Sequence, residues 1–174
     1  LLPALVAGNT VVLKPSENTP LVAELFVETL NKVLPDGVLS IVHGDADVGK
    51  ALVASDINMV AFTGSVNAGK HIMASAAPNL HRLVMELGGN DPMIVLADAD
   101  INAAARFAVA SSFENAGQMC TSTERIYVDK RIHQIFIERV VEIANQYTVG
   151  PWDLPRVNFG PIVNETQHQR VVRH

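Results

Sequence analysis

Cys120 is the residue whose type and surroundings point most directly to chemistry. It is the one cysteine in a chain of 174 residues, and it lies in the polar, glycine-containing run 115–122, between a predicted helix and a predicted strand. A lone cysteine is more often an inert buried residue than a nucleophile. A turn with free backbone N–H groups, however, can stabilise both a thiolate and a nearby oxyanion, so this run makes Cys120 a candidate nucleophile.

Glu86 is a candidate general base. It ends a short apolar stretch and is followed by Leu87 and the pair Gly88 and Gly89. Ligands of α/β folds bind outside the carboxyl ends of parallel strands, and a glutamate held in apolar surroundings there can act as a base near neutral pH. Taken alone, the residue is more typical of a solvated glutamate at a strand end.

Lys14 and Glu17 form a second polar group at a strand end. Lys14 follows the β-branched run 11–13, and Glu17 comes three residues later. An ammonium and a carboxylate at a strand-to-helix turn can hydrogen-bond the hydroxyl groups of a ribose. Without further support, two ordinary surface charges are an equally good interpretation.

Gly64 opens a run that favours a different function. Residues 64–70 fit the pattern G-x-x-x-x-G-K of a phosphate-binding loop, between a predicted strand and a predicted helix. His71 stands where that motif needs Ser or Thr for Mg²⁺, which counts against a nucleotide hydrolase, although a helix N-terminus would still suit a phosphate. The six histidines are scattered and none is spaced from Cys120 as metal ligands are, so we predict no metal site.

Short apolar runs alternate with amphipathic segments along the chain, which predicts an α/β fold with a parallel sheet and helices on its faces. Thr19 is the predicted N-cap of the first helix, with Pro20 at its first position. The pattern restarts after Gly88 and Gly89, which we take as a domain boundary. The predicted strands are residues 11–13, 38–42, 59–63, 83–85, 93–96 and 124–128, and the predicted helices are residues 20–33, 47–54, 66–76, 98–113, 131–146 and 165–174.

Composition narrows the class of protein. Apolar residues make up 48% of the chain and the net charge is −5; with no long basic run, we expect no nucleic-acid partner. No apolar stretch approaches the length of a membrane span, so we expect no membrane partner. A single cysteine allows no internal disulfide and favours a reducing, cytoplasmic location. The chain opens at Leu1 without Met and closes inside a helical pattern, so we expect an internal piece of a longer protein.

Five segments together resemble the aldehyde dehydrogenase superfamily. They are residues 3–17, 62–65, 85–92, 117–120 and the weaker 159–161. The resemblance covers essentially the whole chain, and its strength comes from the order of the motifs. One departure is Asn90, where the family usually has Lys after the glycine pair.

The resemblance implies a role for each matching residue. Cys120 corresponds to the catalytic thiol, and Glu86 to the base that activates the hydrolytic water. The residues that it places against the cofactor are the ribose-binding Lys14 and Glu17 with the intervening Pro15 and Ser16, Gly44 at the adenine, Gly64 and Ser65 at the pyrophosphate, and Leu87 beside the nicotinamide. The side chain that completes the family's oxyanion hole corresponds to a position before Leu1.

The resemblance also implies an architecture and an activity. Residues 1–88 correspond to part of a Rossmann-like NAD(P)-binding domain, and residues 89–174 to the first part of an α/β catalytic domain. The expected reaction is oxidation of a small-molecule aldehyde, with NAD as cofactor and NADP as a possible one, in a homodimer or homotetramer. A nucleotide hydrolase built on residues 64–70, and a relative that has lost catalysis, stay as alternatives.

Overall fold

The structure is a computed structural model that describes residues 1–151 and 153–173. The chain divides into two compact units, the first spanning Leu1–Leu87 and the second beginning at Gly88. Both units combine helices with parallel strands, so the predicted α/β class is confirmed. The assignment of cofactor binding to one unit and catalysis to the other stays a prediction.

The first unit alternates strands and helices. Its elements are α1 (Leu2–Val6), β1 (Val11–Leu13), α2 (Pro20–Asn31), β2 (Leu39–Ile41), α3 (Ala46–Ala54), β3 (Met59–Gly64), α4 (Val66–Ala76) and β4 (Arg82–Leu87). Strands β1 and β2 are parallel, as are β3 and β4. Each pair is joined through one helix, α2 or α4, which is the connection that parallel neighbours require.

Local capping explains where these helices begin. Helix α2 starts at Pro20 after Thr19, as predicted, but the Thr19 side chain makes no capping hydrogen bond. Asp45 caps α3 by accepting from the backbone N–H of Asp47 at 3.0 Å, and Ser65 caps α4. An N-cap oxygen satisfies one of the helix's first N–H groups, which otherwise have no partner within the helix.

The second unit contains one parallel strand pair. Its elements are β5 (Asp91–Val95), α5 (Ile101–Phe113), β6 (Thr123–Val128), α6 (His133–Ala144) and α7 (Glu165–Arg173). Helices α5 and α6 share a buried cluster with β5, the first of its strands. Helix α5 begins after its cap Asp100, later than the predicted start at residue 98, and β5 begins earlier than predicted. His174, the last residue of the predicted helix 165–174, lies outside the described residues.

Small side chains let the helices of the second unit approach each other. Ala105 and Ala108 of α5 are completely buried, and they pack in one cluster with Phe136 of α6. Close packing of this kind stabilises a fold by removing apolar surface from water. The full buried cluster is Val95, Ala105, Ala108, Val109, Phe136 and Ile143.

Helix α2 of the first unit has an exposed apolar face. Leu21, Val22 and Leu25 expose 76%, 75% and 64% of their surface. Across the residues that the structure describes, no helix is both long enough and apolar enough to cross a membrane.

Candidate active site

Lys14 links the ends of the first two strands. It follows β1 and is half-buried, and its Nζ donates hydrogen bonds to the carbonyl oxygens of Gly44, at 2.8 Å, and Pro15, at 2.7 Å. Gly44 lies in the loop after β2 and has φ +146°, and a Cβ there would come within 2.3 Å of the side chain of Val48. The structure thus brings together three of the predicted cofactor residues, and a glycine is needed at one of them.

Ser16 and Glu17 lie in the turn that follows Lys14. The hydroxyl of Ser16 accepts from the backbone N–H of Asn18 at 3.2 Å, and the Ser16 carbonyl accepts from the N–H of Thr19 at 3.2 Å. Glu17 is exposed within this turn. Its carboxylate is therefore free of the protein interior, in a position to accept hydrogen bonds from ligand hydroxyl groups.

The ends of β3 and β4 bring the other predicted residues together. In the parallel register, Gly64 lies opposite Leu87 and Thr63 lies opposite Glu86. Ser65 follows directly and accepts a 3.2 Å hydrogen bond from the N–H of Ala68. The first turn of α4 therefore begins at the carboxyl end of this strand pair, where its N–H groups can hold a phosphate.

The structure gives a different role to the second glycine of the G-x-x-x-x-G-K pattern. Helix α4 begins at Val66, so only Ser65 separates it from β3, and a loop that wraps a phosphate is absent. Gly69 is buried, and a Cβ there would lie 2.9 Å from Cδ2 of Leu87. The pattern thus reflects the close packing of α4 on β4, which removes the structural basis for a nucleotide hydrolase.

Glu86 lies inside β4, because that strand continues to Leu87. The predicted strand, residues 83–85, is therefore two residues too short at this end, and Glu86 is not at the end of the strand as expected. Half-buried and exposed residues alternate along β4, and Glu86 is on the exposed side. The first unit therefore does not bury Glu86 among the apolar side chains expected around a general base, and the Glu86 carboxylate is open to solvent.

The loop that leads to Cys120 has an unusual backbone. After α5 the chain passes through Asn115, Ala116 and Gly117 with φ values of 51°, 59° and 73°. The left-handed region costs most non-glycine residues roughly 1–2 kcal/mol, although asparagine enters it more readily, so Ala116 holds a conformation that it does not prefer. The surrounding hydrogen bonds must stabilise it.

Gln118 provides one set of these bonds. Its Nε2 donates to the carbonyl oxygen of Asn115 at 2.8 Å, and its Oε1 accepts from the backbone N–H of Val163 at 2.9 Å. The Gln118 backbone N–H also donates to the Asn115 carbonyl at 3.2 Å. Ala116 and Gly117 thus lie between two residues, Asn115 and Gln118, that hydrogen-bond each other.

Ser122 provides the other set. It is 4% exposed, and its hydroxyl donates to Oε1 of Glu124 at 3.0 Å and contacts the Gly117 carbonyl at 3.4 Å. The second oxygen of Glu124 accepts from the backbone N–H of Asp91, at the start of β5. This chain of bonds ties the loop to the strand pair.

Cys120 lies between these two anchors and is exposed. A turn over residues 119–122 closes with the N–H of Ser122 donating to the Met119 carbonyl at 3.3 Å. The Cys120 thiol is therefore exposed to solvent, in a turn that hydrogen bonds of Gln118 and Ser122 hold on both sides. An inert core cysteine would be buried among apolar side chains, which is not the arrangement here.

The model of the aldehyde dehydrogenase family matches residues 1–174, the full length of the chain. The chain belongs to the aldehyde dehydrogenase family. A curated relative, betaine aldehyde dehydrogenase of Mesorhizobium japonicum, is 42% identical over 173 residues, which cover 98% of this chain and 35% of the relative. The present chain thus spans about a third of the length of the relatives that it matches.

Two solved structures have the same fold as this chain. An NADP-dependent enzyme of Escherichia coli superposes with a TM-score of 0.95 at 36% identity, over 99% of this chain and 36% of that one. A variant of aldehyde dehydrogenase C from Pseudomonas syringae, solved with NAD⁺ and octanal, gives a TM-score of 0.92 at 40% identity, over 97% of this chain and 36% of that one.

The aldehyde dehydrogenase loop also contains residues that sequence reasoning did not identify. Gln118 was noted only as part of a motif, and Ser122 and Glu124 were given no role. The sequence contained a signal for these residues, because polar side chains flank Cys120 on both sides and buried polar groups are rarely without hydrogen-bond partners. Within the described residues, no group of three or more His, Cys, Asp or Glu side chains is arranged to hold a metal ion.

Proposed function

We propose that the protein oxidises an aldehyde to a carboxylic acid, with NAD⁺ or NADP⁺ as the hydride acceptor. The observation that carries the proposal is an exposed cysteine, held in a hydrogen-bonded turn, in a chain that matches the aldehyde dehydrogenase family over its whole length. Accessibility and a fixed backbone are what a nucleophilic thiolate needs.

In the proposed mechanism, the Cys120 thiolate attacks the aldehyde carbon and forms a thiohemiacetal. Backbone N–H groups of the turn stabilise the resulting oxyanion. When bound, the nicotinamide cofactor accepts a hydride from this carbon, which leaves a thioester on the sulfur. Glu86 then takes a proton from a water molecule, and the hydroxide attacks the thioester to release the acid and regenerate the thiol.

Two groups of residues in the first unit are proposed to bind the cofactor. The turn after β1 would hold the adenine-side ribose, because the ammonium of Lys14 is fixed at the strand ends and the carboxylate of Glu17 is exposed. The start of α4 would hold the pyrophosphate. The full proposed set is Lys14, Pro15, Ser16, Glu17, Gly44, Gly64, Ser65 and Leu87.

NAD⁺ is the proposed cofactor, and NADP⁺ stays possible. The exposed carboxylate of Glu17 would accept hydrogen bonds from ribose hydroxyls but repel a 2′-phosphate. A solved structure with this fold is that of an NADP-dependent enzyme of E. coli, which keeps NADP⁺ as an alternative. Comparison of KM for the two cofactors, in the wild type and in Glu17→Gln, tests the role of the carboxylate.

The remaining proposals concern the whole protein. We propose residues 1–88 as part of the cofactor-binding domain and residues 89–174 as part of the catalytic domain, a division supported by the compact units that meet after Leu87. A small-molecule aldehyde as substrate, a homodimeric or homotetrameric assembly and a cytoplasmic location also stay predictions.

The central experiment measures NADH formation by the intact protein with a panel of aldehydes that includes betaine aldehyde, lactaldehyde and octanal. We expect Cys120→Ala to abolish NADH formation. For Glu86→Gln we expect a rapid first turnover followed by slow turnover, because the thioester forms but is not hydrolysed. Normal steady-state turnover in either variant would disprove the role of that residue, and no NADH from the wild type with any aldehyde would favour a relative that has lost catalysis.

A further inference from the structure

Gln118 binds two distant parts of the backbone at once. Its side chain reaches back to the Asn115 carbonyl, at 2.8 Å, and across to the N–H of Val163, at 2.9 Å and 45 residues further along the chain. One bond needs a donor and the other needs an acceptor. A primary amide supplies both from a single planar group.

The bonds of Gln118 lie next to a backbone segment with positive φ angles. Asn115 and Ala116 both have positive φ, and without an external constraint such residues return to the right-handed or extended regions. Any such relaxation moves the peptide groups that follow, which are those of residues 117–120. The Gln118 side chain adds a second bond to the Asn115 carbonyl, which also accepts from the Gln118 backbone N–H, and so restrains the backbone that leads to Cys120.

The two anchors flank the cysteine symmetrically. Gln118 precedes Cys120 by two residues, and the buried Ser122 follows it by two. Ser122 connects the turn to β5 through Glu124, whereas Gln118 connects it to the segment before α7. A turn held at both ends places its central residue more precisely than a turn held at one end.

We propose that Gln118 is a positioning residue, whose amide holds the backbone of residues 115–120 so that the thiol and N–H groups of the turn face the aldehyde together. The proposal rests on the proposed function, because it takes Cys120 as the nucleophile. Gln118 itself touches no reacting atom. Its loss lowers the reactivity of the cysteine without altering the cofactor site of the first unit.

The test uses the intact protein and two substitutions at the same position. Gln118→Leu removes both polar bonds at similar volume. Gln118→Glu keeps the acceptor for Val163, but when ionised it places a negative oxygen against the Asn115 carbonyl. The matched control is Gln134→Leu, because Gln134 is exposed on α6 and binds only the side chain of Glu138 in the structure.

Two rates are measured for each variant: the second-order rate of Cys120 alkylation by iodoacetamide, followed by mass spectrometry, and kcat for aldehyde-dependent NADH formation. We expect Gln118→Leu to lower both by about tenfold or more, the scale associated with a misplaced reacting group. KM for NAD⁺ should stay at the wild-type value, and Gln134→Leu should match the wild type in all measurements.

The pH dependence of Gln118→Glu separates positioning from simple loss of packing. A protonated carboxyl group has one O–H donor and one carbonyl acceptor, so it can replace the amide at both partners. The alkylation rate of the variant, divided by that of the wild type at the same pH, should therefore rise as the pH falls from about 8 to about 4.5, towards the range in which a glutamate is protonated.

The outcomes are distinguishable. If Gln118→Leu is alkylated and turns over as fast as the wild type, the positioning role is wrong while the proposed function stands. A reduced alkylation rate for Gln118→Glu whose ratio to the wild type does not change with pH would also overturn it, since packing and not the donor bond would then be responsible. If the wild type forms no NADH and its cysteine is not alkylated, both proposals are wrong.

Discussion

The Nζ atom of Lys14 donates a 2.8 Å hydrogen bond to the carbonyl oxygen of Gly44, thirty residues further along the chain. This bond joins the loops that follow two parallel strands, β1 and β2. A second bond, to the Pro15 carbonyl, leaves the ammonium directed at the edge where α/β folds place their ligands. The same residue is thus a structural link and the leading candidate for contact with the ribose.

Replacing Lys14 should affect both properties. We expect Lys14→Met to lower the free energy of unfolding by about 1–3 kcal/mol, because two carbonyl groups lose a charged donor, and to raise KM for NAD⁺. Urea unfolding and steady-state kinetics of the intact protein measure these changes. Lys50→Met is the control, since Lys50 is exposed and pairs only with Asp47 on the same helix in the structure. Equal results for the two variants would show that the Lys14 bonds contribute nothing.

Gly69 allows α4 to pack closely on Leu87. We expect Gly69→Ala to be less stable than Gly49→Ala by about 1–2 kcal/mol, because overpacking costs this much. Both glycines are helical, so both substitutions gain the same helix propensity, but a Cβ at Gly49 would meet the Lys14 side chain at ordinary contact distances of 3.7 and 3.8 Å. Thermal unfolding compares them. A rise in KM for NAD⁺ in Gly69→Ala alone would add support for the proposed place of Leu87 at the nicotinamide, and equal stabilities would contradict the packing argument.

Ser122 is the buried polar anchor on the carboxyl side of Cys120. We expect Ser122→Ala to destabilise the protein by about 1–2 kcal/mol, because the carboxylate of Glu124 loses a donor within the protein. Iodoacetamide should also alkylate Cys120 at a changed rate. Ser55→Ala is the matched control, since the exposed hydroxyl of Ser55 binds only the carbonyl three residues before it in the structure. An unaltered unfolding curve for Ser122→Ala would refute the anchoring role.

Asp129 makes the free energy of unfolding depend on pH in the acidic range. The guanidinium of Arg131 donates to the Asp129 carboxylate at 3.0 and 2.8 Å, and with the backbone N–H bond it lowers the pKa of this carboxyl to about 2 from 3.8. A lowered pKa in the folded state stabilises the protein fully above the unfolded value, and this contribution is lost as the pH falls from about 3.8 to about 2.

Asp129→Asn should therefore remove this part of the acid sensitivity. The difference in unfolding free energy between the wild type and the variant should shrink as the pH falls through that range, as measured by urea unfolding at a series of pH values. Arg131→Gln should have the same effect, because it removes the partner. A difference that stays constant with pH would contradict the pairing.

Local signals in the sequence predicted most of the elements. The β-branched run Val11–Leu13 became β1, Pro20 became the first residue of α2, and the segment Val66–Ala76 became α4 with its predicted bounds. These signals work because side-chain periodicity and backbone restrictions act within a few residues. Element ends were less accurate, and α2 ends at Asn31 rather than at residue 33.

Residue type and motif order identified the candidate functional residues, Cys120 and Glu86 among them. The tertiary structure decided how they are held: Lys14 against Gly44, Gly69 against Leu87, and Gln118 against Val163. Each of these contacts joins residues far apart in the chain, and neither partner carries a local mark of the other. Burial, hydrogen-bond pairing and close approach arise only when distant segments pack together, which is why the sequence could predict a turn at Cys120 but not the contacts that hold this turn in place.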